Sequence, residues 1–352
     1  MRVYKIAAIP ADGIGPEVIS AGLEVLETLA GQDGGFKLQV EHFPWSSEYY
    51  LKHGHYIPEG GLDKLKTFDA IFFGAVGSQQ VPDHVSLWGL RLPIAQGFDQ
   101  YANVRPARVL SGVKSPLHNG QNIDWVIVRE NSEGEYAGHG GRAHRGLPIE
   151  VATETAIFTR VGVERIHRFA FELARKRPRK HLTLVTKSNA QRNGMVMWDE
   201  IFYEVASDYP DVKTDRELVD AATTRMVLKP HTLDTIVATN LHADILSDLA
   251  AALSGSLGIA PTANLNPERK FPSMFEPIHG SAFDITGKGI ANPVATFWTA
   301  AMMLEHLGEE KAAQRLMNAI EAVTESGLQT PDLGGKATTA QVTRAVCERL
   351  GG

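Results

Sequence analysis

The chain has 352 residues, of which 43% are hydrophobic and 22% charged, and its formal net charge is −6. This length suffices for two domains with substantial cores, and the composition is ordinary for a globular protein. The acidic balance, with Lys and Arg scattered along the chain, argues against a nucleic-acid partner. A single cysteine, Cys347, excludes an internal disulfide and fits a reducing cytoplasm. No apolar stretch is long enough to span a bilayer, so we expect a cytoplasmic protein with no membrane partner.

Strand and helix patterns alternate through the first hundred residues. Ile6–Ile9 is typical of a buried strand, and a Gly-rich turn at Asp12–Gly15 precedes a helix that begins near Pro16. An alternating strand follows at Lys37–Phe43, and a further buried strand at Asp69–Gly74 ends in a second Gly-rich turn. This alternation predicts an α/β domain with a largely parallel sheet.

The two Gly-rich turns follow strands, as they do in dinucleotide-binding folds. Neither Asp12-Gly-Ile-Gly15 nor Gly74-Ala-Val-Gly77 completes a G-x-G-x-x-G motif, and plain tight turns are the commoner use of such glycines. The sequence therefore predicts a fold that is not a standard Rossmann fold.

The rest of the chain continues the α/β pattern. A Gly- and His-rich stretch without core periodicity, from Ala137 to Pro148, predicts an arm or a lid. The region from Ala300 to Val323 is strongly amphipathic. Further strands are predicted at Trp125–Arg129, Leu182–Thr186 and Thr235–Thr239, and a helix is predicted at Glu154–Arg175.

Two carboxylates stand four residues apart in the run that begins at Asn240. On a helix, Asp244 and Asp248 would lie on one face about one turn apart, where like charges repel unless a cation lies between them. Hard divalent cations such as Mg²⁺ and Mn²⁺ take oxygen ligands and suit such a pair. The alternative is a solvated helix edge. Apolar neighbours indicate a largely buried helix and favour the metal site: Ile245, Leu246, Leu249 and Leu253.

Three arginines follow strand or turn signals: Arg91, Arg105 and Arg129. The planar guanidinium binds carboxylates through two hydrogen bonds, so converging arginines suit a small polycarboxylic acid. A surface salt bridge is the commoner role of any one arginine. Arg129 ends an apolar strand, where α/β sheets place ligands, and is therefore the strongest of the three candidates.

Other residues suit proton transfer and nucleotide binding. Lys187 directly follows a predicted strand and is a candidate proton acceptor, and Tyr136 is a candidate proton donor. Asp284 could accept both ribose hydroxyls of an adenosine, as acidic residues do in NAD sites, and its charge would repel the 2′-phosphate of NADP. A packing or surface role is the commoner one for Lys187 or Tyr136 alone, and the case for catalysis rests on their co-occurrence.

Together, these motifs resemble the metal-dependent β-decarboxylating dehydrogenases, the family of isopropylmalate and isocitrate dehydrogenases. The resemblance covers nearly the whole chain, from Asp12 to Pro293, and two further runs are most similar to the tartrate and D-malate dehydrogenase branch. The runs that carry it are Asn240–Asp248 and Glu276–Ala282 for the family, and Asp83–Gly89 and Gly97–Tyr101 for the branch.

The resemblance implies a role for each candidate residue. A divalent metal, Mn²⁺ or Mg²⁺, would bind Asp244 and Asp248, with Asp220 of the partner subunit completing the site. Arg105 and Arg129 would bind the substrate carboxylates, Tyr136 would be the general acid, and Lys187 of the partner subunit would be the base. NAD would be bound by residues of one loop and its surroundings: His279, Gly280, Ser281, Ala282, Asp284 and Asn292.

The resemblance also implies an isopropylmalate-dehydrogenase-like α/β fold with two domains, assembled as a homodimer with shared active sites. The larger domain would comprise residues 1–104 and 258–352 and carry the NAD site and both chain ends. The smaller, residues 105–257, would carry the metal ligands, an arm at about 137–150 and the dimer interface.

One departure from the family pattern falls at a substrate-binding position. Ala95 stands where these enzymes usually have an arginine, and Arg91, one helical turn earlier, is the candidate to reach the same carboxylate. Trp88 lies in the region that holds the isopropyl group of isopropylmalate in related enzymes. Its bulk would leave room only for H or OH at C3 of the substrate, unless the side chain faces the core instead.

These residues predict NAD-dependent, metal-dependent oxidation and decarboxylation of a small 2-hydroxy dicarboxylate, namely tartrate or D-malate. A requirement for K⁺ stays open, as do the choice between Mn²⁺ and Mg²⁺ and the order of the substrates. An isopropylmalate or alkylmalate dehydrogenase is the alternative within the class. A non-catalytic regulatory paralogue that binds a metabolite is the alternative of another class, and Ala95 is the observation in its favour.

Overall fold

The computed structural model describes residues 1–118 and 120–351. Asn119 and Gly352, which fall inside the predicted domain ranges, lie outside the described residues. The strands are β1 (Arg2–Ala11), β2 (Phe36–His42), β3 (Ala70–Ala75), β4 (Ala102–Arg108), β5 (Asp124–Glu130), β6 (Gly134–Ala143), β7 (Val151–Ile157), β8 (His181–Thr186), β9 (Lys213–Leu218), β10 (Thr235–Ala238), β11 (Pro261–Leu265) and β12 (Ser273–Pro277). The helices are α1 (Gly15–Asp33), α2 (Ser47–His53), α3 (Gly61–Leu65), α4 (Asp83–Ser86), α5 (Leu92–Gly97), α6 (Arg160–Lys176), α7 (Gly194–Ala206), α8 (Val219–Leu228), α9 (Asn240–Ser254), α10 (Val294–His306), α11 (Glu310–Glu325) and α12 (Thr339–Gly351).

The backbone groups into two units. The first comprises Met1–Gln100, Arg108–Gln121 and Ala251–Gly352, and the second comprises Tyr101–Ala107 and Asn122–Ala250. The domain division expected from the sequence, 1–104 with 258–352 and 105–257, remains a prediction.

The sheet of the first unit is covered on both faces. Its strands lie in the order β2-β1-β3-β12-β11; β2, β1, β3 and β12 are parallel neighbours, and β11 is antiparallel to β12. Ile6 and Ala8 of β1 pack into one core with residues of α1, α10, α11 and α12, whereas Ala7 and Ile9 pack into a second core. Because both faces are buried, β1 reads as a continuous apolar run instead of an alternating one.

The helix boundaries follow from local chemistry. Pro16 occupies the first turn of α1, as the sequence predicts, and Gly34 ends the helix in a left-handed conformation with φ 66°. The amphipathic region Ala300–Val323 belongs to two helices, α10 and α11. They are separated at Gly308, whose φ of 84° is a conformation that glycine adopts without strain.

The second unit is built on the same plan. Its strands lie in the order β4-β5-β10-β8-β9, and β5, β10, β8 and β9 are parallel neighbours. Trp125, Phe171, Trp198 and Phe202 are fully buried in it. The predicted α/β class with a largely parallel sheet is thus confirmed in both units.

The Gly- and His-rich stretch is part of an exposed two-stranded ribbon in the second unit. Its strands, β6 and β7, pair antiparallel from Gly134 with Ile157 to Ala143 with Val151. Most of their side chains are exposed. Across the described residues, no helix combines the length and apolar character that crossing a bilayer requires.

Candidate active site

Three predicted site residues of the second unit meet around the carboxylate of a fourth, Asp244. Arg105 lies on β4, Arg129 on β5 and Tyr136 on β6, and Asp244 lies in the second turn of α9, the helix that follows β10. Because β5 and β10 are parallel, their carboxyl ends lie at the same edge of the sheet. Ligands of open α/β sheets bind at that edge.

Both oxygens of Asp244 are engaged. Its Oδ1 accepts hydrogen bonds from Nη1 of Arg129 and, at 3.1 Å, from Nη1 of Arg105. Its Oδ2 accepts a 2.9 Å hydrogen bond from the hydroxyl of Tyr136. The Arg129 guanidinium also lies over the Tyr136 ring, 5.2 Å from its centroid, in cation–π geometry. The carboxylate thereby holds together two cations and one hydroxyl donor.

The two guanidinium groups are buried, with Arg105 5% and Arg129 2% exposed. Besides Asp244, three buried polar side chains accept hydrogen bonds from these two guanidinium groups. Asn103 Oδ1 accepts from Arg105 Nε at 2.8 Å, and Ser247 Oγ accepts from Arg105 Nη1 at 2.6 Å. Asn240 Oδ1 accepts from Arg129 Nε at 2.8 Å.

Sequence reasoning missed these three polar residues, although simple periodicity could have found them. Asn103 precedes Arg105 by two residues on a strand, and so shares its face. Asn240 and Ser247 lie four residues before and three residues after Asp244, and so share its helix face.

Asp248 lies one turn beyond Asp244 on α9. Partial desolvation, the largest effect, raises the pKa of the Asp248 carboxyl; Arg105 lowers this pKa and Asp244 raises it. Two carboxylates that repel each other on one helix face are an oxygen donor set that fits a hard divalent cation. Ile245, expected to be buried, is instead 56% exposed, so this part of α9 presents one apolar side chain to the surface of the unit.

Lys187 and Asp220 form an ion pair in the second unit, on the loop after β8 and the first turn of α8. The hydrogen bond from Lys187 lowers the pKa of the Asp220 carboxyl. Asp220 is not gathered with Asp244 and Asp248, since the described residues of one chain contain no group of three or more His, Cys, Asp or Glu side chains able to hold a metal.

Glu130 is buried directly after Arg129. Its carboxylate accepts hydrogen bonds from Ser132 N at 2.9 Å, Ser132 Oγ at 2.5 Å and Glu133 N at 2.8 Å. Burial outweighs these donors and raises the pKa of Glu130 to about 7.

The glycine turns of the first unit contact Ser281, which lies in the loop after β12 that is predicted to bind the cofactor. Gly13 has φ 59°, and a Cβ there would lie 2.0 Å from the Ser281 carbonyl oxygen, which accepts a hydrogen bond from Ile14 N at 2.9 Å. Ser281 Oγ donates to the Gly77 carbonyl at 3.1 Å. The glycines of both turns therefore allow three loops to pack closely. The sequence predicts only plain tight turns here, so this packing role is an additional one.

Asp12, not singled out from the sequence, joins these loops to α2. Its buried carboxylate accepts hydrogen bonds from Ser47 N and Ser47 Oγ, both at 2.7 Å, and from Gly77 N at 2.9 Å. Three hydrogen bonds to one buried carboxylate hold the ends of these loops in place.

The predicted cofactor residues lie together after β12. His279 Nδ1 is 2.9 Å from the Gly280 carbonyl, and within the described part of the chain its buried Nε2 has no hydrogen-bond partner. Desolvation lowers the pKa of His279 and favours the neutral ring. A Cβ at Gly280 would meet nothing within 4 Å, and Ala282 and Asp284 follow on the same loop, with Asp284 exposed. Free space beside Gly280, next to a ring nitrogen without a hydrogen-bond partner, fits the binding of a polar ligand such as a nucleotide.

Two further predicted residues make side-chain hydrogen bonds within the first unit. Asn292 Nδ2 donates to Asp332 Oδ2 at 3.0 Å, and its Oδ1 accepts from Val294 N at the start of α10. Arg91 donates from Nε to Glu276 Oε1 at 2.7 Å and from Nη2 to Asn264 Oδ1 at 3.3 Å.

Trp88 and Arg91 share a π-helical turn, Leu87–Arg91. Trp88 is 40% exposed and lines a cavity of about 410 Å³ together with Tyr50, Tyr56 and Pro93. Ala95 is buried in the following helix, α5. π-helical turns are rare in proteins, and those that occur are often found at functional sites. The turn therefore agrees with a specificity role for Trp88.

Comparison with known proteins defines the class. Residues 5–347 match the family model described as isocitrate/isopropylmalate dehydrogenase. The chain therefore belongs to the isocitrate/isopropylmalate dehydrogenase family. This membership confirms the resemblance seen in the sequence.

Individual relatives are similar along their whole length. The chain is 73% identical over 354 residues to the probable tartrate dehydrogenase/decarboxylase TtuC' of Agrobacterium vitis, covering 100% of this chain and 99% of the relative. It is 50% identical over 357 residues to the D-malate dehydrogenase [decarboxylating] of Escherichia coli (strain K12), covering 99% of each. A crystal structure of isocitrate dehydrogenase from Methylococcus capsulatus is similar with a TM-score of 0.90 and 38% identity, covering 99% of this chain and 100% of that one. The predicted fold is confirmed by this similarity.

Proposed function

We propose that this chain is an NAD-dependent, divalent-metal-dependent dehydrogenase that oxidises and decarboxylates small 2-hydroxy dicarboxylates, with tartrate and D-malate as substrates. Family membership and the names of the relatives support the coarser activity, the oxidative decarboxylation of hydroxy acids. The substrate preference, the cofactor and the metal are our inference.

The observation that carries this proposal is the convergence of Arg105, Arg129 and Tyr136 on Asp244 at the carboxyl edge of the sheet. Both buried guanidinium groups pair with the Asp244 carboxylate, and when a metal takes Asp244 as a ligand, a dicarboxylate substrate would supply the planar carboxylates that arginine binds. Tyr136 adds the one proton donor that an enolate requires after CO₂ has left. A purely structural ion pair has no need of that hydroxyl.

The proposed metal ligands are Asp244 and Asp248, with Asp220 of the partner subunit. A bound Mg²⁺ or Mn²⁺ supplies Lewis acidity, which lowers the pKa of a hydroxyl and stabilises negative charge on oxygen. Because Lys187 and Asp220 are paired in one chain, a homodimer that lends one of them to its partner's site would lend both. This pairing supports shared active sites.

The proton steps fall to two side chains. Lys187 of the partner subunit would accept the proton of the C2 hydroxyl, and NAD⁺, held by the residues that follow β12, would supply the hydride acceptor. The resulting 2-keto acid carries a carboxylate on C3, and the C3–CO₂ bond breaks with its electron pair retained as an enolate. Tyr136 then donates its hydroxyl proton to C3, which leaves the 2-keto acid one carbon shorter.

The proposed NAD site comprises His279, Gly280, Ser281, Ala282, Asp284 and Asn292. The exposed carboxylate of Asp284 suits the two ribose hydroxyls of the adenosine and repels the 2′-phosphate of NADP. Preference for NAD over NADP is therefore part of the proposal.

Arg91 is proposed as a third carboxylate-binding group in place of the arginine that the family usually has at Ala95. Glu276 and Asn264 hold the Nε–Nη2 edge of its guanidinium and fix its orientation. Trp88 is proposed to limit the C3 substituent, and K⁺ remains a candidate cofactor.

The test follows products as well as turnover. With D-malate, NAD⁺ and Mn²⁺, NADH and CO₂ should appear in equal amounts, and a chelator should stop both. NADH without CO₂ would contradict the decarboxylation step. NAD binding without turnover of any dicarboxylate would favour the regulatory paralogue, for which Ala95 is the motivating observation.

A further inference from the structure

A cavity of about 300 Å³ lies in the first unit, and none of its lining residues belongs to the candidate active site or to the candidate cofactor residues. It is formed at the amino ends of β3 and β12, where Phe68 and Asp69 precede β3 and Arg269 to Pro272 precede β12. The candidate cofactor loop follows the carboxyl end of β12, and the second glycine turn follows the carboxyl end of β3. At about 3.3 Å per residue, β3 separates the two ends of the sheet by roughly 20 Å.

The cavity is bordered by cations from two loops. Lys66 comes from the loop before β3, and Arg269 and Lys270 come from the loop between β11 and β12. His306, the last residue of α10, lies beside them. Within the described residues, Lys66 pairs with the exposed Asp63, and neither Arg269 nor Lys270 has a carboxylate within salt-bridge distance. Two cations of this cavity are therefore not paired with a carboxylate among the described residues.

The backbone holds Arg269 in an unfavourable conformation. Its φ is 54°, in the left-handed region that only glycine adopts without cost. Asn266, itself buried, fixes this turn: its carbonyl oxygen accepts from Arg269 N at 2.9 Å, and its Oδ1 accepts from Lys270 N at 2.8 Å. Backbone strain that the surroundings maintain in this way is characteristic of ligand-binding positions.

The negative groups nearby are already engaged. Asp69 Oδ2 accepts from Lys5 N at 2.7 Å, and Glu309, which bonds to the Tyr4 hydroxyl at 2.8 Å, also pairs with Arg2 at 2.8 Å. The hydrogen bond from Lys5 N leaves the negative charge of Asp69 in place, but Arg269 and Lys270 outnumber it, so a ligand entering the cavity would meet a net positive charge.

We propose that this cavity is a second ligand site, separate from the active site, that binds a small phosphate-bearing anion. Arg269 supplies a planar guanidinium for two phosphate oxygens, and Lys270 and Lys66 supply point charges. Phe68, Phe271 and Pro272 form the apolar part of the lining, which leaves room for a short carbon chain beside the phosphate. The ligand is therefore inorganic phosphate or a small phosphate ester.

The test is calorimetric titration of the full-length protein with inorganic phosphate and with glycerol 2-phosphate at constant ionic strength. The decisive variant is Arg269→Gly, which deletes the guanidinium and also relieves the positive-φ strain, so it should fold at least as well as the parent. We expect both anions to bind and Arg269→Gly to weaken binding by about tenfold or more. Tighter binding of the ester than of phosphate would identify an organic ligand, and equal binding would identify phosphate itself.

The matched control is Lys180→Gly. Lys180 is also a cation with positive φ, 44°, but it belongs to the second unit and pairs with Asp211. This variant should bind both anions as the parent does. The proposal is overturned if neither anion binds, or if Lys180→Gly weakens binding as much as Arg269→Gly does.

Discussion

The hydroxyl of Tyr136 donates a 2.9 Å hydrogen bond to Oδ2 of Asp244, while Oδ1 of the same carboxylate binds Arg105 and Arg129. The proposed general acid, a proposed metal ligand and two proposed substrate-binding groups thus form one connected network. A cation that takes Asp244 as a ligand and a dicarboxylate that takes the two arginines would replace these contacts together. Binding of metal and binding of substrate should consequently favour each other.

Asp244 and Asp248 should differ in their effect on stability. Asp244→Asn removes the charge that compensates two buried guanidinium groups, and because the Asp244 side chain is 36% exposed we expect a modest loss of about 1–2 kcal/mol in the free energy of unfolding. Asp248→Asn leaves the arginine contacts in place and should be neutral or slightly stabilising. Both variants should lose metal-dependent turnover. Urea unfolding without metal, together with Mn²⁺ titration, checks the two effects, and full activity of Asp244→Asn would remove Asp244 from the metal site.

Tyr136→Phe should slow turnover without loosening the fold. It deletes the only group proposed to protonate C3, and loss of a general acid reduces kcat by about 10²- to 10⁴-fold. KM for NAD should not change, because Tyr136 is not among the residues proposed to bind NAD. Tyr203→Phe, at an exposed tyrosine of α7, is the matched control and should keep full activity. A kcat of Tyr136→Phe within about threefold of the parent would rule out the assigned role.

Trp88→Leu tests the substrate pocket. If the indole limits the C3 substituent, the smaller side chain should raise kcat/KM for 3-isopropylmalate relative to D-malate by about tenfold or more, since small changes of pocket volume are worth about 1–3 kcal/mol. Val3→Ala, at another exposed apolar side chain, should leave the ratio unchanged. An unchanged ratio in Trp88→Leu would show that Trp88 does not limit the C3 substituent and only lines the cavity with Tyr50 and Tyr56.

Glu130 should make stability fall as the pH rises from about 5 to 8. Its pKa is raised to about 7 by burial, so the folded state holds a proton that the unfolded chain releases near its ordinary pKa of about 4.3. The stabilisation is complete below the unfolded pKa and is lost as the pH rises through the folded pKa, a change of about 3 kcal/mol.

The measurement is urea unfolding at pH 5 and pH 8 for the parent and for Glu130→Gln. The glutamine has no proton to lose in this range, so its stability should fall less than that of the parent over the same interval. The difference between the two proteins isolates Glu130 from the histidines, which titrate equally in both. Equal pH dependence would show that Glu130 stays ionised when folded.

The parts of the fold that depend on local chemistry could be predicted from the sequence. The turn at Asp12–Gly15, the start of α1 at Pro16 and the position of Asp244 and Asp248 on one helix each rest on a few neighbouring residues. The break between α10 and α11 was not anticipated, because an isolated Gly308 inside an amphipathic pattern is compatible with a continuous helix.

Features that depend on distant residues could not be predicted. Arg91 and Glu276 are 185 positions apart, and no local pattern pairs them. The reason for Gly13 is likewise the approach of Ser281, which only the folded chain reveals. The candidate site residues could be singled out because they are charged side chains at helical spacing or at strand ends, whereas their polar neighbours Asn103, Asn240 and Ser247 are found only by applying the same periodicity to uncharged side chains.

The most direct test of the proposed function is the rate of NADH formation with Mn²⁺ and K⁺ present, measured side by side for D-malate, the tartrate isomers and 3-isopropylmalate. We predict that kcat/KM is highest for D-malate or a tartrate isomer and that NADP⁺ replaces NAD⁺ poorly. A higher kcat/KM for 3-isopropylmalate would contradict the substrate assignment, and no turnover of any of these acids would contradict the assignment of an enzyme.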